Sequence, residues 1–286
     1  MNANELLRDL MAAWDVPPKE GGGLRMSSAG NRARRHAFDL GGYPQGQTTQ
    51  RAQVTFATGD LLHDYLRDHL HERLEWAEVT DREREVVSTV HDIDIAGHID
   101  AILRDKRTGE RLLVDIKTMS HFTYVSLDPE VAGQPWYKQR NNKARNFAFD
   151  ASRVLPGEPF ARGYLYQLAS YWAALTDDPP HGDGEELDGA FILCVNKNTG
   201  HLAIGTFDTA TVPALLAERD WQWDAAINAE SPYELPICRE PTENKDGTLS
   251  PDIRCQYCPY IDVCLATESV AGIPKIYKGV LDSRPK

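Results

Sequence analysis

Apolar residues recur at helical spacing in three long stretches of this chain. Residues 58–76 carry Leu61, Leu62, Tyr65, Leu66, Leu70 and Leu74 on one stripe, which predicts a helix. Residues 163–176 predict a second helix, stopped by Asp177-Asp-Pro-Pro, and residues 211–230 predict a third. Alternation of apolar and polar positions predicts strands at 84–90, 93–103 and 111–118, the last two joined by the turn signal Asp105-Lys-Arg-Thr-Gly. A further hairpin, 189–196 with 201–207, is expected around Lys197-Asn-Thr-Gly. Residues 119–160 show no clear period and are rich in aromatic and basic side chains. The segment Met1-Asn-Ala-Asn-Glu-Leu-Leu reads as the start of a short amphipathic helix, and a Pro/Gly-rich loop at 17–24 follows it. That N-terminus carries acidic residues and no cleavable apolar core, so no signal peptide is expected, and the expected location is the cytoplasm. No apolar run approaches the roughly 20 residues that a membrane helix needs.

The chemistry concentrates on the hairpin 93–118. If Asp105 pairs with Glu110, position i pairs with position 215 − i, and Asp100 lies opposite Asp115. Cross-strand neighbours have Cβ atoms roughly 5 Å apart, which suits two oxygen ligands sharing one cation. Asp115 and Lys117 are two apart and face the same side, while Ile116 points away into the core. Two carboxylates bind Mg²⁺ or Mn²⁺ through hard oxygens. Such a cation stabilises charge developing on a phosphate and lowers the pKa of a bound water, and a nearby Lys can orient that water. A lone Asp-x-Lys is ordinarily a surface ion pair of little worth. The second Asp at the mirrored position is what sets this hairpin apart.

Asp100 followed by Asp115-Ile-Lys117 resembles the core motif of the PD-(D/E)XK nuclease superfamily. Gly59-Asp-Leu-Leu-His63 upstream and Gln167-Leu-Ala-Ser-Tyr171 downstream are similar to the RecB-like exonuclease branch, spanning roughly residues 25–265. The resemblance implies an α/β fold with a restriction-endonuclease-like core. Its central mixed β-sheet is flanked by helices, and a C-terminal Cys-ligated metal-binding segment follows. The domains expected are an N-terminal helix and linker at 1–23, the nuclease core at 24–230, and a Cys segment with tail at 231–286. His63, Asp100 and Asp115 would ligate Mg or Mn, with the backbone carbonyl of Ile116 as a further ligand. Lys117 would serve the catalytic water, and Gln167 and Tyr171 would support the site or contact DNA.

Four of the five cysteines, Cys238, Cys255, Cys258 and Cys264, cluster late in the chain. In a cytosolic protein this pattern means metal more often than disulfide. Cys194 sits in the apolar strand Phe191-Ile-Leu-Cys-Val195 and is expected in the core. The Cys255-x2-Cys258-x5-Cys264 trio is similar to that of AddB-type and CRISPR-associated exonucleases, which carry a four-iron cluster. Their fourth cysteine lies near the N-terminus. The matching segment here, Ser27-Ser-Ala-Gly-Asn-Arg-Ala-Arg-Arg35, has none. Either Cys238 supplies the fourth ligand to an iron–sulfur cluster, or the site holds zinc. In both cases the metal is expected to staple the C-terminal segment onto the core.

Net charge is −12, which argues against a polyanionic partner until its distribution is considered. Sixteen Asp/Glu against four Lys/Arg fall within 176–252, whereas 25–51 holds five Arg against one Asp. The stretch 131–164 holds six Lys/Arg against two acids. A local patch suffices for a nucleic acid. Arg34, Arg35, Trp136, Lys138, Arg140, Lys143 and Arg145 are the DNA-binding candidates. Tyr137, Phe147, Phe149, Tyr164, Tyr166, Arg153 and Arg162 extend the same aromatic and basic interleaving, which suits a single strand or a free end. The chain has no Gly-x-x-x-x-Gly-Lys loop, so no ATP dependence of its own is expected. The function expected is a metal-dependent DNA exonuclease in recombination, repair or phage genome processing, beside a recombination or repair partner. An endonuclease of the same fold and a non-catalytic DNA-binding scaffold are the alternatives.

Overall fold

A computed structural model gives the fold. It describes residues 22–46, 50–90, 93–132, 134, 139, 142–157, 161–178, 182–239, 242–243, 249–250, 252, 255 and 258–268. The strands are β1 (Ala77–Arg82), β2 (Glu85–Val90), β3 (Ile93–His98), β4 (Ala101–Asp105), β5 (Arg111–Met119), β6 (Phe147–Asp150), β7 (Gly189–Asn196), β8 (Leu202–Phe207), β9 (Thr242–Glu243) and β10 (Leu249–Ser250). The helices are α1 (Ala33–Leu40), α2 (Gln50–Arg73), α3 (His121–Ser126), α4 (Ala151–Val154), α5 (Gly163–Thr176), α6 (Val212–Asn228) and α7 (Ile261–Glu268). Among the described residues no helix is long and apolar enough to cross a membrane.

The chain is α/β. Its central sheet has six strands in the order β1-β4-β5-β7-β8-β6. The sheet is mixed: β5 runs parallel to β7 and β6 to β8, while the other neighbours are antiparallel. Two compact units divide the chain. One gathers Leu24–Gly30 and Thr55–Asp220, and contains the whole sheet. The other gathers Asn31–Val54 with the stretch from Trp221 onward, so α1 belongs with the cysteine segment rather than with the expected 24–230 core.

The β4–β5 hairpin has the expected register, with Ala101 opposite Val114 and Arg104 opposite Arg111. Its turn closes through Asp105 N–H to the Glu110 carbonyl at 2.8 Å, with Gly109 at φ 83°. Such a φ suits glycine, which has no Cβ to clash. The strand expected over 93–103 is broken. β3 pairs with β2 in a separate two-stranded ribbon, and β4 pairs with β1 and β5. The corner lies where Ile99 N–H bonds the Arg84 carbonyl at 3.0 Å, beside Glu83 at φ 50°. Turning both strands at one point places Asp100 at the mouth of the sheet.

Val114 and Ile116 of β5 pack with Ala101, Leu103, Leu193 and Val195, and Leu62, Leu66 and Leu70 of α2 lie against them with Leu74 just past its end. These leucines recur every fourth residue and share one helix face. Leu61 and Tyr65, placed on that stripe by the sequence, instead face outward at 72% and 51% exposure. A helix presents about a third of its circumference to a neighbour, and the four-residue row wins over the adjacent positions. Cys194 is buried in β7, as expected. β1, β6 and α3 were not legible in the sequence. β6 and α3 fall in the aperiodic stretch 119–160 and pack through Tyr124 against Phe147.

In the second unit Phe38 of α1 stacks on Tyr260 at 5.3 Å, and meets Tyr43 and Tyr233 edge-on. The Tyr260 hydroxyl donates to Asp39 at 2.6 Å, and Gly46 N–H bonds the Pro259 carbonyl. His36 is fully buried, edge-on to Trp223. Burial first, and the Arg35 charge second, push its pKa down to about 3.

Two outcomes follow from this packing. Replacing Leu66 with Ala should cost about 2 kcal/mol, while Leu61→Ser should stay within about 0.5 kcal/mol, as read by guanidinium unfolding. The second concerns acid. An unfolded His takes up its proton near pH 6.5, whereas folded His36 stays neutral down to about 3. The unfolded state therefore binds the extra proton as pH falls through this window, and stability is lost across it by as much as about 4 kcal/mol. His36→Gln should flatten that acid limb in unfolding curves taken from pH 7 to pH 3.

Candidate active site

The β4 ladder ends at Ala101, so the next N–H on that edge of β5 has no strand partner. The Asp100 side chain takes its place: Oδ2 accepts the Ile116 N–H at 2.5 Å. Asp100 thereby arrives next to Asp115, which β5 holds between β4 and β7 with only 1% of its surface exposed. Asp115 Oδ1 accepts from Lys117 Nζ at 2.8 Å. Its other oxygen, Oδ2, is buried and has no hydrogen-bond partner.

His63 reaches the site from α2. Its Nε2 lies 3.1 Å from Asp100 Oδ1, and its Nδ1 lies 3.6 Å from Asp64. Helix and strand approach closely because Gly59, one turn earlier, carries no side chain: a Cβ there would sit 3.0 Å from Thr118 Oγ1. On the opposite face of β5, α5 supplies Gln167, whose Nε2 donates to the Tyr171 hydroxyl at 2.8 Å. Both are buried. Tyr171 packs against Gly97, where a Cβ would come within 2.6 Å of its ring. The structure thus brings His63, Asp100, Asp115, Lys117, Gln167 and Tyr171 together. Ile116 contributes its N–H. An extended residue points its N–H and C=O to the same edge of the strand, so its carbonyl faces the same open edge.

The electrostatics follow from burial and mutual contact. Burial drives the Asp115 carboxyl upward, and the Asp100 charge adds to this against the pull of Lys117. Burial opposes ionisation of Asp100 too, but the bond from His63 and the Lys117 charge leave its pKa lowered. His63 is raised, chiefly by that bond to Asp100. Lys117 is raised because Asp115 and Asp100 outweigh its desolvation. Burial, then the Asp115 charge, raise Tyr171 to about 12, so it stays a neutral phenol. Among the described residues no three His, Cys, Asp or Glu side chains stand in a ready metal-holding group. In this site the donors are engaged with one another, which leaves Asp115 Oδ2 as the open position.

One aromatic partner carries no motif. Tyr164 of α5 presents its ring to Lys117, with Nζ 5.4 Å from the centroid. It lies one turn before Gln167 on the same helix face, and that spacing was the signal available in the sequence.

The expected DNA path is described only in part. Trp136, Tyr137, Lys138 and Arg140 lie outside the described residues. Arg145 is held by the buried Asp128 through two bonds of 2.7 and 2.8 Å, and also pairs with Glu130. Arg34 is buried at 2% exposure, bonded to the Leu235 carbonyl and set against the Tyr233 ring. A guanidinium so enclosed cannot serve as a displayed phosphate contact. Arg35 is half-buried. Phe149 and Tyr166 are core, and Arg162 bonds Tyr166 and Glu218. Lys143 and Arg153 stay exposed, and Arg145 keeps 46% of its side chain exposed beside its carboxylate partners.

The four late cysteines are free thiols in one neighbourhood. Burial first, then the other thiols, raise Cys255 to about 11 and Cys264 to about 12. Burial raises Cys238 and Cys258 as well, against the opposing pull of the backbone at Arg35 and Tyr260.

No family model matches this chain, and no curated protein matches it. Among solved structures, the crystal structure of SSO0001 aligns over 92% of this chain and 93% of that chain, at 16% identity and a TM-score of 0.38. A likeness this distant bears on neither fold nor chemistry.

Proposed function

We propose that this chain is a metal-dependent DNA nuclease of the exonuclease kind. The observation that carries the reading is the meeting of Asp100, Asp115 and Lys117 around a buried, open carboxylate oxygen. A buried acceptor without a partner costs about 1–3 kcal/mol, and a hard cation is the ligand that satisfies it. The donor set fits Mg²⁺ or Mn²⁺: Asp100, Asp115, the imidazole of His63 and the Ile116 carbonyl would hold it. Once bound, such an ion offsets charge on a phosphate and acidifies a water. Lys117 orients that water or the scissile phosphate through its ammonium. Gln167 and Tyr171 keep the wall of the site in place as neutral donors. The imidazole and the Gln167–Tyr171 pair are what favour the exonuclease reading over an endonuclease of the same fold. A non-catalytic scaffold is disfavoured because burying two carboxylates and an ammonium is expensive and serves no binding surface.

The thiols of Cys238, Cys255, Cys258 and Cys264 fit a soft metal, either an iron–sulfur cluster or zinc. Burial raises Cys238 and Cys258 as it does the other two, so a metal bound there would displace thiol protons.

Asp115→Ala and Lys117→Ala should each lower Mg²⁺-dependent cleavage of linear DNA by at least about 100-fold, with folding intact by circular dichroism. Undiminished cleavage by Asp115→Ala would overturn the reading. Closed circular DNA should resist the wild type, and rapid conversion to linear form would mark an endonuclease. Anaerobically purified protein should bind iron and absorb near 400 nm, or else bind zinc without colour, and Cys238→Ser should lose that metal. A metal-free wild type would remove the cluster from the proposal while leaving the nuclease site standing.

A further inference from the structure

We infer that Tyr164 is a positioning residue for Lys117, holding its ammonium by the face of the ring; this rests on the nuclease reading above. Among the described residues Lys117 makes two direct contacts, Asp115 Oδ1 at 2.8 Å and the Tyr164 ring at 5.4 Å, and feels the Asp100 charge beyond them. Its side chain is 15% exposed, so water is a poor third partner. Asp115 has one oxygen engaged by Lys117 and one open. A carboxylate that serves a divalent ion draws less on its ammonium, because the two cations compete for the same charge. Lys117 then needs a second anchor that is not an anion, since an anion would itself bind the metal. An aromatic face meets that requirement: it attracts a cation through its quadrupole and offers no ligand atom there. Tyr164 is placed for this by α5, one turn before Gln167 and two turns before Tyr171. One helix face thus presents all three side chains to the site. The ring rather than the hydroxyl is the working part, so Phe should replace Tyr.

The test compares Tyr164→Phe with Tyr164→Leu on linear DNA with Mg²⁺. Tyr164→Leu should lose about 5- to 30-fold in kcat with KM for DNA unchanged, the fold-change equivalent to about 1–2 kcal/mol at 1.36 kcal/mol per tenfold. Tyr164→Phe should stay within about twofold of wild type. An unchanged kcat in Tyr164→Leu, or an equal loss in both variants, would overturn the inference and leave the nuclease reading intact. A wild type that cleaves no DNA would fail the reading itself. Should Tyr164→Leu not fold, NMR of the wild type decides. The ε-methylene protons of Lys117 should be shifted upfield by the ring current, and an unshifted signal overturns the inference.

Discussion

Much of the site depends on one hydrogen bond, from the Ile116 N–H to the Asp100 carboxylate. β5 is a central strand with β4 on one side and β7 on the other. Where β4 stops, an interior N–H would be stranded, and a stranded buried donor costs as much as a lost hydrogen bond. Asp100 satisfies it with a side chain instead of a backbone carbonyl. That substitution ends the ladder, fixes the carboxylate next to Asp115 and points its other oxygen at His63. It also helps keep Asp100 ionised in a buried place, since a carboxylate accepting a backbone N–H is favoured in its charged form.

What the sequence could show about this arrangement was local. The 215 − i register of β4 and β5 follows from one turn, and turn chemistry is written in adjacent residues such as Asp105 and Gly109. The helix 163–176 has clear apolar content and clear stops, and its bounds match those of α5. The corner at Glu83 and Asp100 was not legible, because it is set by which sheet each half of the strand joins. Nothing within 93–103 signals that choice, and Gly97, which admits Tyr171, reads in the sequence as an ordinary strand glycine. The outward turn of Leu61 and Tyr65 was hidden for the same reason, since a helical stripe fixes a face only to within about one residue.

The basic residues show where sequence-level electrostatics fails. Arg34 and Arg145 stood out as local positive charge, and the structure commits both to internal partners. Arg145 pairs with Asp128, seventeen residues away, and counting charges along the chain cannot find such a pair. Arg34 is enclosed with its fork bonded and its stem packed, whereas Arg145 is bonded while 46% of its side chain stays exposed. The cysteine segment offers a parallel case. Spacing alone makes a metal its staple, yet Phe38, Tyr233 and Tyr260, with the Asp39 bond, already join it to α1 through rings and hydroxyls. A metal there would add to an existing contact rather than create it.

The same accounting explains why the site needs an aromatic wall. In the structure His63 pairs with Asp100, and Lys117 with Asp115, so the buried charges are matched. A site matched internally has little pull on anything new, apart from the open Asp115 Oδ2. Any cation that enters must weaken one of those pairs, and the displaced group must not be left bare in a poorly solvated place. His63 is 23% exposed and has Asp64 at its other nitrogen. Lys117 is more enclosed, and its direct contact besides Asp115 among the described residues is the face of Tyr164. A carboxylate in that position would compete for the cation, and an aliphatic side chain would leave the ammonium unsolvated. A ring does neither, which makes the residue at 164 part of the site's charge balance rather than of its packing alone.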